Sequence, residues 1–213
     1  ALPVEINILD NHSGDELQEF EAAWPRHVRV YESEVNGGFG AGHNMLATKT
    51  DATNLLLLNP DTLLVEPHTI SRLLQTMQEY KAPVVGPRLL TPKHRTGNLD
   101  ADAHSNLVQQ PWDHGKWGLR RHQGAQPASV HWVSGAAFLV AHEAFDAAQG
   151  FDERFFLYYE ELDLCRRLRQ QSETVVYDPS ISVLHYGSAV ASKHSAHFFQ
   201  SAARYYLKRI AGS

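Results

Sequence analysis

The chain is poor in sulfur: its 213 residues include one cysteine, Cys165, and two methionines. A lone thiol excludes an intrachain disulfide framework and a cysteine-built zinc site, and it suits a reducing compartment. Long apolar runs are also missing. The longest purely aliphatic stretch, Leu55-Leu56-Leu57-Leu58, is far short of the ~18 residues a membrane span takes, so no transmembrane segment is expected. No block of one charge sign occurs: 19 basic against 24 acidic side chains leave a net charge of −5, which sets nucleic acid aside as the main partner. The first residues, Ala1-Leu2-Pro3-Val4-Glu5, have neither the basic region nor the apolar core of a secretory signal. What is present is ample apolar material, 43% of the residues, on a chain long enough to bury a sizeable core. The expectation is one cytoplasmic globular domain over residues 1–213.

Short strands alternate with helices. Val4–Leu9 reads as a strand ending in the polar turn Asp10-Asn11-His12-Ser13-Gly14-Asp15. Glu16–Trp24 is weakly helical and Val28–Glu32 is a second strand. Asn36 to Asn44 is a glycine-rich loop that runs into a helix ending at Ala47. Asn54–Leu58 lacks alternation, as a strand buried on both faces does, and stops at Asn59-Pro60-Asp61-Thr62. Pro67 opens a helix through Tyr80 with Ile70, Leu73, Leu74 and Met77 on one face, and a strand follows at Val84–Gly86. Thr91–Ser129 shows no period and reads as a long functional loop. Beyond it the pattern predicts a strand over Val130–Val140 and helices near Glu143–Ala148 and Tyr159–Gln170. Strands at Thr174–Tyr177 and Ile181–His185 and a last helix over Ser195–Ile210 complete the chain. This alternation predicts an α/β fold with a parallel core.

The polar residues of interest follow strands. In open α/β sheets ligands bind at the carboxyl ends of strands, where Asp10, Asn59, Asp61 and His185 all fall. A carboxylate such as Asp61 suits a hard divalent cation that keeps most of its waters; the plainer reading of Asn59-Pro60-Asp61 is a capping turn. His185 is either a metal ligand beside Asp61 or a hydrogen-bonded core histidine. The Asn36–Asn44 loop has the look of a phosphate cradle, yet its third glycine position is His43 and no Gly-Lys-Ser/Thr ending follows. Trp132 with Ser134-Gly135 sits where a strand meets a pocket or simply packs in the core. On the helix that starts near Glu160, Glu161 lies within about 60° of Leu164, Cys165 and Leu168, whereas Glu160, Asp163 and Arg167 share another face. An inward glutamate at a helix N-terminus is costly unless it is used, and its position favours the charged form that a general base needs. Asp163 reads as the partner of Arg167 one turn on. Arg204, Lys208 and Arg209 read as a solvated helix face.

Taken in order, five segments resemble one family. They are Leu9-Asp10-Asn11-His12-Ser13, Asn36 to Asn44, and Leu57-Leu58-Asn59-Pro60-Asp61-Thr62, then Val133-Ser134-Gly135-Ala136-Ala137, and last Gly150 to Phe156 with Tyr159 to Arg167, closed by His185. The chain resembles the family 2 inverting glycosyltransferases of the GT-A fold, in particular their rhamnosyltransferase-like bacterial branch. The resemblance implies a Rossmann-like, mixed but mostly parallel sheet flanked by helices. It also implies transfer of a sugar from a UDP-, dTDP- or GDP-linked donor to a glycan or lipid-linked acceptor, with Mn2+ or Mg2+ as cofactor. By similarity Asp10 holds the base, Asn36 and Asn44 line the nucleotide site, and Ser134 and Gly135 complete the donor side. Asp61 stands at the metal-binding acid of the family's Asp-x-Asp motif, Asn59 takes the place of its first Asp, and His185 closes the metal shell. Glu161 falls on the catalytic base. Trp132 and Glu160 fall on the acceptor side, where Trp112 and Trp117 of the long loop are candidate stacking surfaces for sugar rings.

One departure matters. The family normally starts with an apolar strand and helix ahead of the strand at Val4, and these are absent here. Such an N-terminally truncated sheet suggests a fragment, a naturally short protein, or a homo-oligomer in which a neighbour supplies the strand. A non-catalytic relative that binds a sugar nucleotide or a protein partner is the alternative reading. The expected location is cytoplasmic, with a peripheral position at the inner face of the membrane if the acceptor is lipid-linked.

Overall fold

A computed structural model describes residues 2–14, 25–92, 99–101, 107–109, 119–121, 124–186 and 195–211. In chain order the elements are β1 (Ile6–Asp10), β2 (Val28–Glu32), α1 (Gly38–Ala47), β3 (Asn54–Leu58), β4 (Thr62–Leu64), α2 (Thr69–Tyr80) and β5 (Val84–Pro92). The short strands β6 (Leu99–Ala101), β7 (Leu107–Gln109), β8 (Leu119–Arg121) and β9 (Ala128–Ser129) follow. The last elements are β10 (Ala137–Ala141), α3 (His142–Ala147), α4 (Glu160–Gln170), β11 (Val175–His185) and α5 (Ser195–Ile210).

The central sheet runs β3-β10-β5-β11-β4, with β6 on β5 and β9 on β11. β1 and β2 form a separate parallel pair. Period-two alternation sorts the central side chains onto two faces. Val84, Phe138, Val140 and Val175 meet Phe145, Phe151, Leu164 and Leu168 on one side. Their neighbours Val85, Leu139 and Val176 meet Leu73 and Ala82 on the other. Both faces are therefore covered by helices, which is why the strand sequences read as unbroken apolar runs. Full burial of a side chain such as Leu73 contributes about 1.5–3 kcal/mol.

The sheet is mixed, as expected, but less parallel than expected. β5 and β11 pair in parallel. β10, however, lies antiparallel between β3 and β5, and β4 lies antiparallel on β11. The single strand expected over Val130–Val140 is interrupted: β9 ends at Ser129 and β10 begins at Ala137. The intervening Val133-Ser134-Gly135 crosses over the sheet instead, with Val133 pressed on Gly86, where a Cβ would come within 2.5 Å of it. Conversely, the two strands expected at Thr174–Tyr177 and Ile181–His185 are one, β11, with a register shift between Asp178 and Ser182. Pro179 cannot donate to a ladder, and that is where the pairing slips. The expected helix over Glu16–Trp24 and most of the Thr91–Ser129 loop lie outside the described residues.

Candidate functional site

The site is built on the turn after β3. Asn59 N–H donates to the Ala136 carbonyl (2.9 Å), and Thr62 N–H and Oγ1 donate back to the Asn59 carbonyl (3.1 and 2.6 Å). That closed turn lets the chain reverse into β4, which pairs Thr62 with His185 at the end of β11. Tyr186 N–H bonds the Asp61 carbonyl (2.9 Å). The side chains of two residues more than 120 positions apart are thereby brought together: His185 Nε2 is 3.3 Å from Asp61 Oδ1. His185 Nδ1 is buried with no partner.

The second wall is the start of α4. Tyr158 and Tyr159, immediately before it, both adopt left-handed backbone, at φ 69° and 72°. Two successive non-glycine residues in that region cost of order 1–3 kcal/mol each, a strain that surrounding contacts must hold. Tyr159 is held by Tyr205, Tyr206 and Phe198, and its carbonyl accepts the Asp163 N–H (2.9 Å). The sequence offered no signal for this strain. It turns Glu160 and Glu161 both inward. Gly135 is wedged between Phe39 and Glu161; a Cβ there would lie 3.3 Å from Phe39 Cζ and 3.7 Å from Glu161 Cβ. Burial raises the Glu161 carboxyl above the ordinary range, while the backbone N–H groups of Glu161, Gly135 and Leu162 pull it back down. Its Oε2 is buried and unpartnered. Trp132 Nε1, on the same crossover segment, is likewise buried without a partner. Unpaired buried polar atoms cost stability unless a ligand satisfies them.

The sequence-predicted residues fare differently. Asp61 and His185 meet directly, and the Ser134–Ala136 segment links them to Glu161, bonding Asn59 at one end and packing on Glu161 at the other. Ser134 Oγ accepts Ala136 N–H (3.3 Å) and so shapes this segment. Asp10 sits at the end of β1, where hydrogen bonds from Ser13 hold its carboxyl below the ordinary range. Asn36 is exposed and accepts the Gly38 N–H (3.0 Å). Trp112 and Trp117 lie outside the described residues.

Several placements differ from what the sequence suggests. Glu160 is buried at 4% exposure: a Cβ added to Gly40 would lie 3.9 Å from its own, and its Oε2, like that of Glu161, is buried without a partner. Burial raises its carboxyl well above the ordinary range, with the Glu161 charge adding to the rise. Asn44 is committed elsewhere, donating to the Phe151 carbonyl and to Glu153 (3.0 Å each) and accepting the Phe151 N–H (2.8 Å). The glycine-rich segment is not a loop but helix α1. Its glycines serve packing. Gly38 has φ +86° and a Cβ would strike the Phe156 carbonyl, so no other residue fits. Asn11, read only as a turn residue, ties β1 to this helix start by donating to the Gly38 carbonyl and accepting Gly37 N–H (2.9 and 3.2 Å).

A family model described as glycosyltransferase like family 2 matches residues 9–206. The chain belongs to this family. Among curated relatives, it is 28% identical over 229 aligned residues to the N-acetylglucosaminyl-diphospho-decaprenol L-rhamnosyltransferase of Mycobacterium tuberculosis, covering 92% of this chain and 72% of that protein. In fold it is similar to GalNAc-T7 crystallised with UDP, GalNAc and Mn2+ (TM-score 0.71, 17% identity, 86% of this chain and 38% of that one). It is also similar to residues 1–349 of S. aureus TarS in complex with UDP-GlcNAc (TM-score 0.63, 11% identity, 86% and 50%). The chain thus spans half or less of these solved structures. As a GT-A-type member of family 2, it has the mixed sheet with flanking helices that the resemblance implies. Among the described residues, no group of three or more His, Cys, Asp or Glu side chains gathers as a metal site. None of the described helices is long and apolar enough to cross a membrane.

Proposed function

We propose that this chain moves a sugar from a nucleotide-diphosphate donor to an acceptor hydroxyl with inversion, in glycan or surface-polysaccharide synthesis. The observation that carries the reading is the Glu161 carboxylate. One oxygen is buried and unpartnered, and the segment packed on it also bonds the turn that carries Asp61. In the reaction Glu161 takes the acceptor hydroxyl proton while that oxygen attacks the anomeric carbon. The bond to the diphosphate breaks on the opposite face, which inverts the centre. General-base assistance of this kind supplies roughly 10²–10⁴-fold. Asp10 and Asn36 serve the nucleotide, Ser134 and Gly135 the donor, and Trp132 offers its Nε1–H to the sugar or acceptor.

A carboxylate and an imidazole side by side, with the Asn59 amide in the same turn, suit Mn2+ or Mg2+, which takes most of its ligands from water and substrate phosphate. Asp61 and His185 would hold the ion, and its chemistry when bound is to offset charge on the departing diphosphate. That GalNAc-T7 was crystallised with UDP and TarS with UDP-GlcNAc supports a nucleotide-diphosphate donor, which we propose is UDP-, dTDP- or GDP-linked, and the relative that acts on a diphospho-decaprenol supports a lipid-linked acceptor. Such an acceptor places the protein at the membrane surface.

The test is Glu161→Gln, assayed with a panel of sugar nucleotides and Mn2+. Transfer is expected to fall by about 10²–10⁴-fold while nucleotide affinity stays unchanged. Full transfer by this variant removes Glu161 as the base, and absence of nucleoside-diphosphate release by the wild type from every donor removes the reading itself.

A further inference from the structure

Helix α5 buries only one of its faces. Ser201 and Tyr205 are buried at 3% exposure each, Ser201 Oγ bonds the Leu157 carbonyl (2.8 Å), and Lys208 Nζ reaches Asp152 and Asp163 (2.8 Å each). On the opposite side Phe199, Ala203, Leu207 and Ile210 recur at spacings of four, four and three residues, a stripe about 80° wide. Phe199 is 69% exposed, Leu207 67% and Ile210 84%. Aligned exposed apolar side chains on one helix are an interaction surface, unlike scattered single ones.

The charges around the stripe identify what covers it. Exposed Arg204 lies about 60° beyond Leu207 at one edge, and exposed Arg209 lies about 80° beyond Phe199 at the other, where its guanidinium also stands over the Tyr205 ring (5.9 Å). The helix Ser195–Ile210 contains no aspartate or glutamate. A second copy seated on this stripe would set cations against cations with no acid on either helix to pair them, which opposes self-association. An apolar stripe edged by cations is instead the pattern of a helix that lies in a bilayer interface and is drawn to anionic headgroups. The whole chain carries −5, so approach to an anionic surface is oriented with this local cationic helix leading.

We infer that the outer face of α5 docks the protein on an anionic lipid bilayer, with Phe199, Leu207 and Ile210 entering the headgroup boundary and Arg204 and Arg209 contacting lipid phosphates. The inference rests on this helix alone and is independent of the transferase chemistry proposed above. α5 packs on the chain that leads into Glu160 and Glu161, through the stacked rings of Phe156 and His197 (4.6 Å) and Tyr158 against Phe198 (5.7 Å). Docking here would therefore hold the catalytic helix close to the lipid surface.

The test is co-sedimentation of the full chain with vesicles of phosphatidylcholine alone or mixed with phosphatidylglycerol, with light scattering in parallel. Binding is expected to the anionic vesicles and to weaken as salt rises. Arg204→Glu with Arg209→Glu is expected to lower anionic partition by about fivefold per charge or more. Phe199→Ser with Leu207→Ser and Ile210→Ser is expected to lower it about tenfold or more with little change in melting temperature, since all three side chains are mostly exposed and Phe199 meets the Phe198 ring only edge-on (5.8 Å). Equal partition of wild type and variants, no partition at all, or an oligomer that the apolar substitutions dissolve each overturns the inference. A failure here leaves nucleoside-diphosphate release untouched, so it is distinguishable from failure of the transferase reading.

Discussion

Glu160 and Glu161 are adjacent carboxyls that burial works against, and they are handled differently. Glu161 has backbone N–H groups to favour its charge, including that of Gly135 across the cleft. Glu160 has its own backbone N–H alone against both burial and the neighbouring charge. A carboxyl held above its ordinary range in the fold costs nothing where both states are protonated. Stability falls as pH rises from the ordinary glutamate range toward the raised native value, because the unfolded chain ionises first. Glu160→Gln is therefore expected to raise the melting temperature near about pH 8, by about 2–4 °C per kcal/mol recovered, and to leave it unchanged near about pH 4. Melting curves across that pH range check this, and a variant less stable at both ends would show that the charge itself is structurally needed. His43 is the opposite case: packed against Phe39 and Phe151, its imidazole is pushed down to about 4 by burial and stays neutral. The lone thiol, Cys165, is buried and pushed up to about 12 by that burial, which favours the protonated thiol.

At the scale of elements, the site depends on how α4 is clamped. Asp163, fully buried, accepts from Arg167 Nε (2.7 Å) one turn on, as its spacing predicts, and from Lys208 Nζ of α5 (2.8 Å). Lys208 also bonds Asp152, whose carboxyl is held far below the ordinary range by Arg154 first and by Lys208. Lys208 is thus a core cation, not part of a solvated face as the sequence suggests; only Arg204 and Arg209 are exposed. Removing one partner from a buried ionic cluster leaves the others uncompensated. Asp163→Asn is expected to cost about 3–5 kcal/mol, read as a lower urea midpoint at unchanged m-value. The helical wheel placed Glu160 and Asp163 away from the core because it registers one buried side. α5 covers Asp163 through Lys208 and α1 comes up to Glu160 at Gly40, and a wheel drawn from α4 alone carries no information about either.

At the scale of the molecule, β3, β4, β11 and the crossover before β10 converge at one rim of the sheet. The Asp61–His185 contact exists because β4 reverses onto β11. Both side chains were legible as strand-end polar residues, yet β4 itself was not, since three residues, Thr62–Leu64, leave no period to read. A nucleotide that bridges this rim stabilises only the folded chain. One of UDP, dTDP or GDP with Mn2+ or Mg2+, at about 100 times its dissociation constant, is expected to raise the melting temperature by about 5–10 °C. Asp61→Ala should abolish the cation-dependent part of the shift. No shift from any of the three would exclude this rim as a nucleoside-diphosphate site.

The sequence by itself determined the apolar strands, the helices and the strand-end polar residues, because hydrophobic period and turn chemistry are local properties. It also carried the family's five motifs in order. Only the tertiary structure decided that the glycine-rich segment is a helix pressed on Phe151 and Phe156, that Asn44 fastens a loop, and that Glu160 is buried. Each of those outcomes depends on which surface a distant segment covers, and the energy of that covering is set by contacts far apart along the chain.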